Sequence, residues 1–203
     1  MNFYLERLRN RSSELGNHYQ KYFTLLDRDI EGLVSRLEAA RLHERIHLWG
    51  PAKDYRAEMK IISQLGSTTK TKLTDLGCFF GLQYLQLNFN ALDGLYLSIT
   101  RNRDHMSTYK SFMLRTGHAL RQLTRAYMKT ILELFLPPEA FESFVFLGVG
   151  TRSDQDDIDI GVIDSGQAGR QELNRAISHL STEMLKKAIS LHFHLSEHVG
   201  SET

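Results

Sequence analysis

The sequence predicts an α+β protein in which a mostly helical N-terminal half is followed by a small sheet with helices. From residue 3 to residue 135 the chain is rich in Leu, Arg, Glu, Gln and Ala, which favour helices. After a proline pair, short aromatic and β-branched runs appear, and apolar residues occupy every second position. With 203 residues, of which 41% are hydrophobic, the chain can form one large domain or two small ones.

Four helical regions are predicted before the proline pair. They cover about 3–48, about 52–65 with Pro51 in the first turn, about 70–101, and about 105–135. The last region is the clearest, because its apolar residues recur at spacings of 3 and 4 and form one stripe. The stripe consists of Leu120, Leu123, Tyr127, Ile131 and Leu134. The two prolines that follow are expected to end this helix.

Three strands and one further helix are predicted in the remaining sequence. The strands lie near 144–148, 157–163 and 189–196, and the helix covers about 170–187 between the second and third strands. The chain is therefore divided into a helical bundle region, 1–104, and a second domain, 105–203. The second domain contains the helix at 105–135 and the three strands.

Composition excludes several classes of protein. The formal net charge of +1 argues against a protein that coats nucleic acid, so nucleic acid is not an expected partner. The single cysteine, Cys78, lies in an apolar run and is expected to be a buried thiol, which fits a reducing compartment. The N-terminus has no secretion signal and no stretch approaches 18 uncharged apolar residues, which predicts a cytoplasmic protein without a membrane span.

Two aspartates on the second predicted strand indicate a metal site. Residues two apart on a strand point to the same side, so Asp157 and Asp159 are expected to project together. Neighbouring carboxylates repel each other unless a cation lies between them, and oxygen ligands of this kind suit Mg²⁺, with Mn²⁺ as the second choice. The turn before them could hold phosphates through backbone N–H groups, two hydroxyls and one guanidinium. Its predicted nucleotide-binding residues are Gly148, Gly150, Thr151, Arg152 and Ser153.

This pattern resembles a known family. The stretch from Asp156 to Ile163 reads DDIDIGVI and resembles the SDIDLGV motif of DNA polymerase β-type nucleotidyltransferases. The order of helix, proline break, strand and glycine loop resembles the regulatory protein uridylyl- and adenylyltransferases and their relatives linked to CBS or cyclic-nucleotide sensor domains. The resemblance implies a nucleotidyltransferase-like sheet and the transfer of a nucleoside monophosphate from a nucleoside triphosphate to an acceptor hydroxyl, with Mg²⁺. In the regulatory branch the acceptor is a protein side chain.

The motif allows two alignments. In one, Asp157 and Asp159 are the catalytic residues and the metal ligands. In the other, Ser153–Asp157 matches the TDQDN of the sensor-linked relatives, and Asp154 and Asp156 become the ligands. We prefer the first alignment, because the alternating apolar residues that follow Asp157 continue the strand.

A third carboxylate, which the family carries on its third strand, is missing. The polar positions of the third predicted strand are Ser190, His192, His194 and Ser196, with Glu197 at its end. Two further hypotheses therefore stay open beside the transferase. One is a non-catalytic regulatory module that binds a nucleotide or a partner protein, and the other is a toxin–antitoxin component. The helical half is expected to pack on the strands, to form a homodimer or to receive a signal.

Overall fold

The protein is mainly helical. The computed structural model describes residues 29–101, 105–142, 144–149, 157–164, 170–186 and 190–196. The helices are α1 (29–39), α2 (Tyr55–Ile62), α3 (Thr69–Arg101), α4 (His105–Phe135), α5 (Pro138–Glu142) and α6 (Arg170–Leu185), with a 3₁₀ turn at His43–Arg45. The strands are β1 (Phe144–Val149), β2 (Asp157–Asp164) and β3 (Ser190–Ser196).

Helix α1 ends earlier than the sequence predicted. The backbone N–H of Leu42 donates to the carbonyl of Leu37, and that of Arg41 donates to the carbonyl of Glu38. Arg41 adopts a left-handed conformation with φ of 56°. These two hydrogen bonds and the left-handed residue form a Schellman cap. The prediction that helix continues to residue 48 is therefore wrong, and the predicted part before residue 29 lies outside the described residues.

Helix α2 begins later than predicted. Asp54 adopts an extended conformation, and its carboxylate accepts hydrogen bonds from the backbone N–H groups of Arg56 at 2.9 Å and Ala57 at 3.0 Å. This is an N-cap, which satisfies two donors that have no partner within the helix. The interpretation of Pro51 as a first-turn residue is wrong, because the helix is capped by Asp54 and begins at Tyr55, four positions after Pro51.

Helices α3 and α4 pack along each other and provide much of the core. Leu123, Tyr127 and Ile131 of the predicted stripe are fully buried, and the ring centroids of Tyr127 and Phe80 are 4.7 Å apart. Cys78 is buried, as predicted. Helix α2 packs on both long helices, and α6 packs on α4, where the ring of His179 stacks on that of Phe135 at 4.1 Å.

The three strands occur where the sequence predicted them and form one mixed sheet in the order β1-β2-β3. Strands β1 and β2 are antiparallel, and β2 and β3 are parallel, with α6 as the connection between them. Val162 of β2 is fully buried, whereas its neighbours Gly161 and Ile163 are half-buried. Since neighbouring strand residues point to opposite faces, the Val162 face is the more buried face of the sheet.

The predicted fold class is wrong. The sequence predicted an α+β protein built around a nucleotidyltransferase-like sheet, but the chain is mainly helical and its sheet is a minor element. The principal cluster of buried apolar residues comes from α1, α2, α3, α4 and α6 and from the segments beside them, and none of its described members lies on a strand. Alternating residues indicate where strands lie, but they do not indicate how much of the core a sheet covers.

Candidate nucleotide and metal site

The two predicted catalytic aspartates lie on β2, with Asp157 as its first residue. Positions 157 and 159 share one face of the sheet, because they are two residues apart on a strand. That face is opposite to the one that carries the buried Val162. The two positions therefore lie on the more open face, at the end of the sheet where β2 begins.

The predicted phosphate-binding turn adjoins the same end of the sheet. Gly148 pairs with Ile160, and Val149, the last residue of β1, pairs with Asp159. The antiparallel register thus brings the end of β1 beside the beginning of β2. The rest of the predicted turn lies outside the described residues. It comprises Gly150, Thr151, Arg152 and Ser153, together with Asp154 and Asp156 of the alternative alignment.

Strand β3 lies beside the aspartates on the other side. The parallel register pairs Asp157 with Ser190 and Asp159 with His192. Paired residues on neighbouring strands share a face, so a hydroxyl residue and an imidazole residue occupy the positions next to the aspartates. The described part of β3 contains no Asp or Glu, and Glu197 lies outside the described residues.

The chemistry of these residue types fits one hard cation better than two. Aspartate oxygens suit Mg²⁺, which retains water molecules and takes phosphate oxygens from a bound nucleotide. Two such cations carry four positive charges, of which a pair of aspartates balances half, so the phosphates of a bound nucleotide have to balance the rest. Histidine can accept a proton, but it adds no negative charge. The residue types at the aspartate end of the sheet are thus those that suit one Mg²⁺ together with phosphate oxygens.

Elsewhere, the side chains that the structure describes include no group of three or more His, Cys, Asp or Glu that could hold a metal ion. In the same part of the chain, no helix is long and apolar enough to span a membrane.

Sequence reasoning missed a buried polar cluster, which consists of Glu58, Gln83 and Gln86. The Glu58 carboxylate accepts hydrogen bonds from the backbone N–H groups of His47 at 2.7 Å and Lys53 at 3.1 Å, and it contacts Nδ1 of His47 at 2.9 Å. Gln83 donates to the carbonyls of His47 and Gly50 at 2.6 and 3.1 Å and accepts from the N–H of Ala52 at 2.9 Å. Gln86 donates to the carbonyl of Leu48 at 2.6 Å. The polar cluster holds the segment 47–53, which has no regular structure, in one conformation.

A second missed feature is the pair formed by Arg36 of α1 and Asp75 of α3. Asp75 is fully buried, and both of its carboxylate oxygens accept hydrogen bonds from the Arg36 guanidinium, one of them from Nε at 2.8 Å. The signal for both features was available in the sequence. Asp75 and Gln83 flank the apolar run Leu76–Leu82, and Gln86 lies four residues beyond its end. Polar residues on a core-facing helix surface require partners.

Comparisons of this chain with protein-family models, with curated proteins and with solved structures found no match.

Proposed function

We propose that this chain is a regulatory module that binds a nucleoside triphosphate together with Mg²⁺ at the aspartate end of its sheet, and that it transfers nucleotides slowly or not at all. The observation that carries the proposal is the register of β3, which pairs Asp157 with Ser190 and Asp159 with His192. Two carboxylate positions face the cation, and no third carboxylate lies beside them on the described part of β3.

Three features support nucleotide binding. Asp157 and Asp159 share one face at the beginning of β2, and the end of β1 lies beside them. The sequence that follows β1, from Gly150 to Ser153, contains residue types that hold phosphates, namely a glycine, two hydroxyls and an arginine. The sequence from Asp156 to Ile163 resembles the metal-binding motif of nucleotidyltransferases. The nucleotide would be held through its phosphates and its metal, with the base less restricted.

The binding test measures nucleotide affinity by calorimetry with ATP, GTP, UTP and CTP, each with and without Mg²⁺. We expect at least one nucleotide to bind more tightly with Mg²⁺, because the cation offsets the repulsion between phosphates and aspartates. Asp157→Asn should weaken this metal dependence. Asp164→Asn is the matched control, because Asp164 lies at the opposite end of β2 and on the opposite face. If no nucleotide binds, or if Asp157→Asn binds exactly as the parent does, the proposal is wrong.

Nucleotidyl transfer is the second candidate function, and the shared face of Asp157 and Asp159 is the observation that favours it. The assay incubates the chain with nucleoside triphosphates labelled at the α-phosphate, Mg²⁺ or Mn²⁺, and cell lysate as a source of protein acceptors. We expect little or no labelling while nucleotide binding persists. Strong labelling that Asp157→Ala/Asp159→Ala abolishes would replace the regulatory proposal with the transferase.

The partners that accompany this proposal are a nucleoside triphosphate and a regulated protein, in the cytoplasm. The helical part would present the regulated surface or form a homodimer. Equilibrium sedimentation with and without nucleotide distinguishes these two arrangements, because a homodimer has twice the mass of the single chain, and a mass that changes with nucleotide shows that the contact responds to it.

A further inference from the structure

A cavity of about 320 Å³, half open to solvent, lies between α1 and the segment that follows it. Its floor is apolar and its rim carries one carboxylate, one imidazole and one indole. The floor residues are Val34, Leu37, Ile46 and Leu48, and the rim residues are Glu38, His43 and Trp49. The volume is at the lower end of the range for small-molecule sites, about 300–1,000 Å³.

Trp49 is more exposed than is usual for a tryptophan. Its side chain is 56% exposed, although tryptophan is highly buried on average. It is also the only tryptophan of the chain. Beside the apolar cavity, this exposed indole offers a large apolar surface and a ring face to a ligand.

Hydrogen bonds from buried side chains fix the backbone that carries Trp49. The polar cluster of Glu58, Gln83 and Gln86 binds the backbone on both sides of Trp49, at residues 47, 48, 50, 52 and 53. Buried polar side chains are costly unless they are hydrogen-bonded, and here their partners are backbone groups of this one segment and the imidazole of His47. The cavity wall is therefore preorganised, which lowers the entropy lost when a ligand binds.

The residues that line the cavity select a ligand by charge. Glu38 is the one carboxylate among them, and no Lys or Arg belongs to the lining. An indole face attracts a cation through its ring quadrupole, and an apolar floor takes an aliphatic or aromatic body. We propose that this cavity binds an organic cation with an apolar body, whose positive end lies between Glu38 and the ring of Trp49.

The test uses three probes with the same six-carbon body: hexylammonium, 1-hexanol and hexanoate. Because Trp49 is the sole tryptophan, its fluorescence reports directly on this cavity. We expect a saturable change with hexylammonium, a weaker response to hexanol and none to hexanoate. Glu38→Gln should lower the affinity for hexylammonium about two- to fivefold, the range of an exposed ion pair, and leave hexanol unchanged.

Glu44→Gln is the matched control, because Glu44 is exposed in the same region but does not line the cavity. It should leave all three affinities unchanged. Both substitutions are on exposed residues, so neither is expected to disturb folding. The proposal is overturned if hexanoate changes the fluorescence as much as hexylammonium does, if no probe gives a saturable response, or if Glu38→Gln and Glu44→Gln have equal effects. Nucleotide binding at the sheet can succeed or fail without affecting any of these outcomes.

Discussion

Among the described residues, the buried carboxylate of Asp75 has a single charged partner. It is fully buried, and both of its oxygens bind the guanidinium of Arg36. Gly32, one turn earlier on α1, keeps the path of Arg36 open, because a Cβ at that position would lie 3.1 Å from Nη2 of Arg36. The hydrogen bonds to Asp75 raise the pKa of Arg36, and the pair fixes α1 against α3.

We expect Arg36→Ala to lower the free energy of unfolding by about 2–3 kcal/mol, because it leaves a buried carboxylate without its cation. The value is below that of a fully buried pair, since the side chain of Arg36 is 33% exposed. Arg36→Met/Asp75→Leu should recover most of the loss, because an apolar pair removes the unmatched charge as well. Urea denaturation measures both effects. A loss below about 0.5 kcal/mol for Arg36→Ala would contradict this account.

The hydroxyl of Tyr55 gives the molecule a pH dependence at alkaline pH. Burial raises the pKa of Tyr55 above its ordinary value of about 10, and the nearby Glu58 carboxylate raises it further. The folded state therefore holds this proton more tightly than the unfolded state does. The resulting stability is complete below about pH 10 and is lost as the pH rises through the folded-state pKa.

Tyr55→Phe removes that titration, and the measurement is the difference in unfolding free energy between the parent and Tyr55→Phe at pH 7 and at pH 11. At pH 7 tyrosine is neutral in both states, so the difference there reports only the lost hydroxyl. At pH 11 the parent should have lost part of its unfolding free energy, so its stability relative to Tyr55→Phe should be lower than at pH 7. A difference that stays constant over this range would show that the phenol titrates alike in both states.

At the scale of single elements, regular periodicity was predictable and the caps were not. Helix α3 begins one residue from its predicted start, α4 has the predicted bounds, and the strands lie at the predicted positions, because each depends on a repeated pattern. The end of α1 and the start of α2 depend on single residues. Arg41 adopts a left-handed conformation that its residue type does not favour, and the Asp54 carboxylate forms a cap where Pro51 also offered a start.

Gly94 allows α3 and α4 to pack closely. A glycine in the middle of a helix lowers its stability, so its presence in α3 indicates a close approach. A Cβ at Gly94 would lie 2.5 Å from Cε2 and Cζ of Phe112 on α4. The glycine therefore makes room for the Phe112 ring, which also lies 5.6 Å from the Arg115 guanidinium.

We expect Gly94→Ala to lower the free energy of unfolding by about 1 kcal/mol, because displacing the ring outweighs the higher helix propensity of alanine. In a Phe112→Ala background the sign should reverse, and Gly94→Ala should raise the free energy of unfolding by up to about 1 kcal/mol, since only the propensity gain remains. A double-mutant cycle by urea denaturation measures this coupling. Equal effects in the two backgrounds would show that the ring moves aside at little cost.

At the scale of the whole molecule, the candidate site joins residues that are distant in sequence. The sequence identified Asp157 and Asp159, because both lie within one short motif. It also offered the polar positions of β3, but it could not choose which of them lies beside the aspartates, since the sequence does not determine the register in which β3 pairs with β2 and a shift of two residues keeps the same face. The register answers this question, because it pairs His192 with Asp159 and His194 with Gly161.

This register predicts where a third carboxylate would act. His192→Asp places a carboxylate residue beside Asp159, whereas His194→Asp places one beside Gly161, two positions further along the same face. Without Mg²⁺, His192→Asp should bind a nucleoside triphosphate more weakly than the parent, because a third negative charge repels the phosphates. With Mg²⁺ it should bind the nucleotide about fivefold more tightly, since a carboxylate gains roughly 1 kcal/mol for each unit charge of a nearby cation even in water, and repulsion from the phosphates offsets about half of the gain from a divalent cation.

The decisive result is that His192→Asp weakens nucleotide binding without Mg²⁺ and strengthens it with Mg²⁺. A general loss of folding would weaken binding in both conditions. His194→Asp adds the same charge to the same strand, so a nonspecific electrostatic effect would appear equally in both variants. Calorimetry with and without Mg²⁺ measures the crossing, and the labelled-nucleotide assay shows whether the third carboxylate also raises transfer. If His194→Asp changed the metal dependence as much as His192→Asp does, the aspartate end of the sheet would not be where the cation binds.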